Sequence, residues 1–123
     1  MAVNKRAVGA YYEKKAGSYL EGLGYEILQY NYRCRAGEID IVARDKEFLV
    51  FCEVKYRKNP GRGSSADAIT PKKQKIISKC ALYYTAENRL SNIPCRFDAV
   101  CMDGDNFGNV KIDLYKNAFD YIG

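Results

Sequence analysis

The 123-residue chain predicts a single α/β domain, residues 1–123, with a mixed central β-sheet flanked by helices. Three observations carry that expectation. Two stretches have apolar residues at helical spacing, and five shorter runs read as strands. Their order is helix, three strands, helix, two strands, which suits a mixed sheet with helices packed against it. No internal linker, repeat or low-complexity segment divides the chain, and its length is enough to bury one proper core.

Over residues 5–24 the side chains Val8, Tyr11, Tyr12, Tyr19, Leu20 and Leu23 follow helical spacing, with Ala16 on the same stripe and Gly24 as the stop. Residues 25–30, 38–43 and 48–55 read as strands, the last two joined by a polar turn through Arg44, Asp45, Lys46 and Glu47. Residues 56–68 hold Asn59-Pro60-Gly61 and Gly63-Ser64-Ser65 and read as a mobile basic loop. Thr70-Pro71 then supplies an N-cap and first-turn residue for a helix whose apolar face is Ile76, Ile77, Cys80, Ala81 and Tyr84. Residues 96–102 and 109–115 close the chain as strands around Asp103-Gly104-Asp105.

Charge is unevenly spread. Lys and Arg number 20 against 15 Asp and Glu, a net +5. Between residues 54 and 79 the bases Lys55, Arg57, Lys58, Arg62, Lys72, Lys73, Lys75 and Lys79 meet only Asp67, whereas the last 26 residues are mildly acidic. Such a run is either a solvated face or the footprint of an anionic partner. With no histidine and five cysteines that form no CxxC pair, most zinc sites and all His-based triads are excluded. The N-terminal residues lack the apolar run of a signal peptide, and no stretch is long enough to span a bilayer. Reduced thiols and a cytoplasmic location are therefore expected.

The chemistry concentrates in GEIDIVARDKEFLVFCEVK, residues 37–55. Strand period sets Glu38 and Asp40 on one face, opposite Ile39, Ile41 and Ala43, and sets Phe51, Glu53 and Lys55 on one face of the next strand. The expected register places Asp40 opposite Phe51 and Glu38 opposite Glu53, so that Asp40 and Glu53 are diagonal neighbours about 7–8 Å apart at the backbone. Like charges at about 4 Å repel by ~4 kcal/mol at an effective dielectric near 20, so the cluster needs a cation, a proton or a basic partner. Lys55 supplies part of that balance, and a hard divalent ion such as Mg²⁺ or Mn²⁺ can supply the rest. A wet face of a half-buried hairpin with an ordinary ion pair is the competing reading. Against it, residues 48–52 are apolar on both faces, as in a covered central strand.

Gly37-Glu38-Ile39-Asp40 followed by Glu53-Val54-Lys55 resembles the D…(D/E)xK core of the PD-(D/E)XK nuclease superfamily, with Ile39 standing where its label has proline. The wider pattern is similar to the bacterial YraN-like family. It comprises Gly9, Glu13 and Ala16, then Gly24-Tyr25, Asn31, GEIDIVA, FCEVKYR, Lys73 and Arg96-Phe97-Asp98, nearly the whole chain. Its arrangement also resembles archaeal Holliday-junction resolvases. The resemblance implies a restriction-endonuclease-like fold and metal-dependent hydrolysis of DNA phosphodiesters, on branched or structured DNA in recombination or repair. It implies Asp40, Glu53, the Val54 carbonyl and Glu13 as ligands of Mg²⁺ or Mn²⁺. Lys55 would orient the attacking water or stabilise charge on the phosphate. A homodimer would let so small a domain cut two strands. The competing class is a non-catalytic nucleic-acid-binding or adaptor module that keeps the fold.

Other residues divide between site and scaffold. Arg57, Lys58 and Arg62 are expected as nucleic-acid contacts, chiefly to phosphate. Lys73 and Gln74 in the first turn of the second helix are expected either as further contacts facing the site or as a solvated helix start. Glu38 is either a further site carboxylate or a partner for Arg33 or Arg35. Asp98 reads as structural, paired with Arg96. Of the eleven tyrosines, Tyr11, Tyr12, Tyr19 and Tyr84 are expected in the core, while Tyr30, Tyr32 and Tyr56 stand as base-stacking candidates.

Overall fold

Glycine and threonine set the limits of the two helices. The first helix, α1 (Lys5–Gly22), ends where Gly24 takes a φ of 96°. There the N–H groups of Gly24 and Tyr25 bond back to the carbonyls of Glu21 and Leu20, each at 3.0 Å, closing a Schellman motif. The second, α2 (Pro71–Glu87), opens as expected: the Thr70 hydroxyl accepts the Lys73 N–H at 3.2 Å, with Pro71 next to the cap. Between and after them run β1 (Glu26–Cys34), β2 (Gly37–Asp45), β3 (Phe48–Lys58), β4 (Cys95–Gly104) and β5 (Val110–Phe119). The structure is a computed structural model and describes residues 5–58 and 69–122.

The sheet order is β1-β2-β3-β4-β5. Only β3 and β4 run parallel, from Leu49↔Cys95 to Lys58↔Gly104, while the other neighbours are antiparallel. Parallel neighbours cannot be joined by a hairpin, and α2 lies in the connection between them. It packs Ile77, Cys80, Ala81 and Tyr84 on one sheet face, against Tyr32, Val42, Phe51 and Phe97. On the other face α1 packs Ala16 and Leu20 against Ile41, Val50, Cys52, Val100 and Met102. The result is a mixed sheet with a helix on each face, an α/β fold of restriction-endonuclease-like type. Residues Leu49 to Glu53 of β3 are buried without a break, which marks β3 as the covered central strand.

Several expectations need correction. The hairpin register is Asp45↔Phe48 and Ile41↔Cys52, because the turn is only Lys46-Glu47, with Lys46 at a φ of 56°. Phe51, expected opposite Asp40, pairs with Val42 instead, and the ladder between β2 and β3 ends at Ile41, one residue short of Asp40. Ile39 and Ile41 share a parity yet enter different cores, Ile39 beneath α2 and Ile41 beneath α1. Their partners are Tyr32 and Tyr30, and between those stands Asn31 in left-handed conformation at φ 53°. The ladder thus reorients at the level of Asp40.

The stripe of α1 is narrower than its spacing suggests, since Val8, Tyr11 and Leu23 are exposed. Tyr56, Arg57 and Lys58 belong to β3 instead of a loop, held by the parallel ladder to β4. The rest of that expected loop, with Arg62, lies outside the described residues. The last turn begins at Asp105, whose carboxylate accepts the N–H groups of Phe107 and Asn109 at 2.8 and 2.9 Å.

Asp98 is structural, as expected. Fully buried in β4, it accepts from Arg96 Nε at 2.8 Å, from the Tyr25 hydroxyl at 2.8 Å and from the Asn117 N–H at 3.0 Å. Arg96 also reaches Asp45 at 2.8 Å, tying β2, β4 and the start of β1 together.

Candidate active site

At the reoriented step of β2, Asp40 is half-buried, and its Oδ2 accepts the Val54 N–H at 2.8 Å. A side chain here bonds a backbone group of the neighbouring strand, which fixes the carboxylate against the middle of β3, where its unbroken buried run ends. Glu53, the last of the unbroken buried run, is 5% exposed. Two ammonium groups approach it at the outer limit of ion pairing, Lys55 Nζ at 4.0 Å from Oε1 and Lys73 Nζ at 3.9 Å from Oε2. Lys55 follows along the same strand, while Lys73 arrives from the first turn of α2.

Burial pushes the Glu53 carboxyl up to about 8, with the neighbouring Asp40 charge and a hydrogen bond to Asp40 adding to the rise, and the two lysines opposing it. Glu13 of α1 completes the group. Its carboxyl is raised first by burial and then by Asp40, while a hydrogen bond from Asn31 lowers it. Three acids from three elements therefore crowd together more tightly than the nearby cations compensate.

These acids share a cleft of ≈ 320 Å³, lined by Glu13, Glu38, Asp40, Glu53, Val54 and Lys73 with Tyr12 and Tyr56 at one side. A larger apolar groove of ≈ 590 Å³ runs along α2 beside Arg35, Lys79, Leu82 and Tyr83. Among the described residues it is lined by cations and by no acid, whereas the acids gather in the smaller cleft.

Among the described residues, no three His, Cys, Asp or Glu side chains form a ready-made metal cage. The donor set nevertheless fits a hard divalent cation. Asp40 and Glu53 crowd two carboxyl groups into one cleft, which raises the Glu53 carboxyl and is the electrostatic setting that a divalent cation relieves. Val54 lines the same cleft and offers a backbone carbonyl, the oxygen type such ions prefer.

The structure thus brings together Glu13, Asp40, Glu53, Val54, Lys55 and Lys73. Others are turned elsewhere. Gln74 donates its amide to the Ile69 carbonyl at 2.9 Å, inside its own chain segment, and does not line the cleft. Arg57 pairs with Asp103 at 3.6 Å across the β3–β4 ladder. Lys58 borders a neighbouring hollow. Glu38 pairs with Arg33 at 3.2 Å, as one of its expected readings had it, and also lines the cleft.

Two residues gain a place that spacing alone did not give them. Asn31 holds Glu13 from a left-handed position, a conformation that Asn tolerates better than most residues. Tyr12, assigned to the core by its spacing, is half-exposed and stacks on Tyr56 at 3.7 Å with a 13° interplanar angle. Tyr32, conversely, is buried and unsuited to stacking on a ligand.

Residues 12–102 match the uncharacterised protein family UPF0102. The chain belongs to this family. A UPF0102 protein of Lachnoclostridium phytofermentans is 50% identical over 98% of this chain and 99% of its own length. Relatives of the same name in Dehalococcoides mccartyi and Pseudomonas putida KT2440 are 42% and 37% identical, over 96% and 97% of this chain and 97% of their own length in both cases. The UPF0102 match begins at Tyr12 and takes in Glu13, Asp40, Glu53, Lys55 and Lys73, so every member of the acidic cluster lies inside the family's span.

Proposed function

We propose that this UPF0102 protein is a metal-dependent DNA endonuclease acting on branched or otherwise structured DNA in recombination or repair. The observation that carries the reading is the convergence of Asp40 and Glu53 beside Lys55 where the buried run of the central strand ends, with the Glu53 carboxyl raised by burial and by Asp40. Burial of so much negative charge opposes folding, and a bound cation offsets that cost.

Asp40, Glu53 and the Val54 carbonyl would hold Mg²⁺ or Mn²⁺, with Glu13 reaching in from α1. Such an ion supplies Lewis acidity that lowers the pKa of water and neutralises charge on the phosphate. Lys55 places an ammonium beside Glu53, where it orients water and stabilises the charge that develops on the phosphate oxygens. Lys73, now paired with Glu53, is free to turn to a phosphate once a cation satisfies that carboxylate. A single cleft of this kind cuts one strand at a time, so a homodimer is the form proposed for cutting two.

The test is cleavage of four-way, flapped, single-stranded and linear duplex DNA with Mg²⁺ or Mn²⁺. Cutting that is lost in chelator and in Glu53→Gln is the expected result. Salt-sensitive binding without cutting on all four substrates would replace the enzyme by a nucleic-acid-binding module.

A further inference from the structure

A second hollow, ≈ 470 Å³, adjoins the acidic cleft. Tyr12 and Tyr56 line both, so the stacked pair forms the partition between them. The remaining walls are Lys58 and the β4–β5 turn, with Asn106 and Asn109 exposed along it.

This partition is held firmly. The Tyr56 hydroxyl lies against Gly104, where even a Cβ would approach it to 2.7 Å, so this position needs glycine. The turn is fixed as well: the Asp105 carboxylate accepts the Phe107 N–H at 2.8 Å, the Asn109 N–H at 2.9 Å and the Asn109 side-chain amide at 3.0 Å.

Among the described residues, the hollow combines an aromatic pair, the Asn106 and Asn109 side chains, the Lys58 cation and the Asp105 carboxylate, whose oxygens are bonded within the turn. Aromatic rings stack on any nucleobase through its π face. Amides match the donor and acceptor edges of bases, and a lysine contacts the backbone phosphate. The volume is that of a small-molecule site. A base inside a duplex cannot enter, because its faces and edges are engaged, whereas an unpaired base enters without the cost of unstacking a pair.

We propose that this hollow receives an unpaired nucleobase of the DNA strand whose phosphodiester lies in the acidic cleft. The protein then selects strand discontinuities by a base pocket beside the cut and does not read sequence. The identification of that strand rests on the endonuclease reading above; the base pocket itself does not require cleavage.

The experiment measures binding in chelator, where nothing is cut. The probes are a flapped duplex with 2-aminopurine at its first unpaired position and the same duplex fully paired. The native chain is expected to bind the flap about tenfold more tightly than the duplex and to quench the 2-aminopurine. Tyr12→Leu keeps an apolar side chain against Tyr56 without a stacking face, and Asn106→Ala trims the exposed turn. Each is expected to reduce the flap-to-duplex ratio several-fold in protein that circular dichroism shows to be folded. A ratio that stays native in both folded variants overturns the base pocket. If the ratio responds as expected while native protein cuts none of the DNA structures with metal, the endonuclease reading fails and the pocket stands.

Discussion

Glu53→Gln separates what this carboxylate does for the fold from what it does for the site. Its carboxyl is lifted from an ordinary 4.5 to about 8, chiefly by burial and then by Asp40. The metal-free folded protein therefore retains a proton that the unfolded chain has already lost, and stability falls as pH rises between those two values. At roughly 1.4 kcal/mol per unit, the penalty above pH 8 reaches roughly 3–5 kcal/mol. Glutamine keeps the shape and removes the ionisation, but as a buried amide it gives back about 1–3 kcal/mol of that gain. A net gain of about 2 kcal/mol at pH 9 is expected, which raises the melting temperature by about 5–10 °C. At pH 4 the sign should reverse, because Glu53 is then largely neutral in both states and only the cost of the buried amide, about 1–3 kcal/mol, remains. Adding Mg²⁺ or Mn²⁺ at pH 8 should stabilise the native protein, by about 2.7 kcal/mol at a hundred times Kd, and leave Glu53→Gln unmoved. Thermal melts from pH 4 to 9 in chelator and in metal decide the matter. A native melting temperature indifferent to both pH and metal, matched by the variant throughout, would refute the electrostatic account of the cleft.

Other perturbations probe the frame around the site. Asp98→Ala should cost about 3–5 kcal/mol in urea unfolding, because Arg96 and the Tyr25 hydroxyl lose a fully buried acceptor; a loss under about 1 kcal/mol would contradict the structural role. Gly37→Ala should destabilise by about 1–3 kcal/mol, since φ is 148° there and the new Cβ would stand 2.6 Å from Ile76 Cγ2. Circular dichroism melts read that loss, and no change would argue against the close approach of α2 to the start of β2. Lys73→Ala should weaken binding of all DNA structures alike and flatten the salt dependence by about one counterion. An unchanged slope would keep Lys73 with Glu53 and away from phosphate.

Much of this architecture was legible in the residues because several signals agreed at once. Thr70-Pro71 specified the start of α2 by hydrogen-bonding chemistry, and Gly24 specified the end of α1 by conformation. The unbroken apolar run Leu49 to Cys52 announced a strand covered on both faces, and it placed Glu53 where a charge is costly. The convergence of Asp40 with Glu53 survived a wrong register, because Asp40 lies beyond the last residue of β2 that pairs with β3 and reaches that strand through its side chain, which accepts the Val54 N–H.

What stayed hidden depends on geometry that periodicity does not encode. The reorientation at Asn31 sends Ile39 and Ile41 to opposite cores, although alternation assigns them to one face. Tyr12 kept a core-like spacing, yet α1 meets the sheet mainly through Ala16, Gly17 and Leu20 and leaves its first turns over the cleft. Gln74 sits in the expected turn of the expected helix, but the free Ile69 carbonyl before the helix captures its amide. Local competition of that kind is decided by atoms, not by spacing.

The central claim is that Asp40 and Lys55 serve a hydrolytic reaction. It is tested most directly by incubating four-way-junction DNA with metal-loaded native protein beside Asp40→Ala and Lys55→Ala, all shown to be folded. Cleavage by the native protein alone, lost in both variants while junction binding persists, is the result the account expects. Equal cleavage by all three, or none by any with binding unaltered, would contradict it.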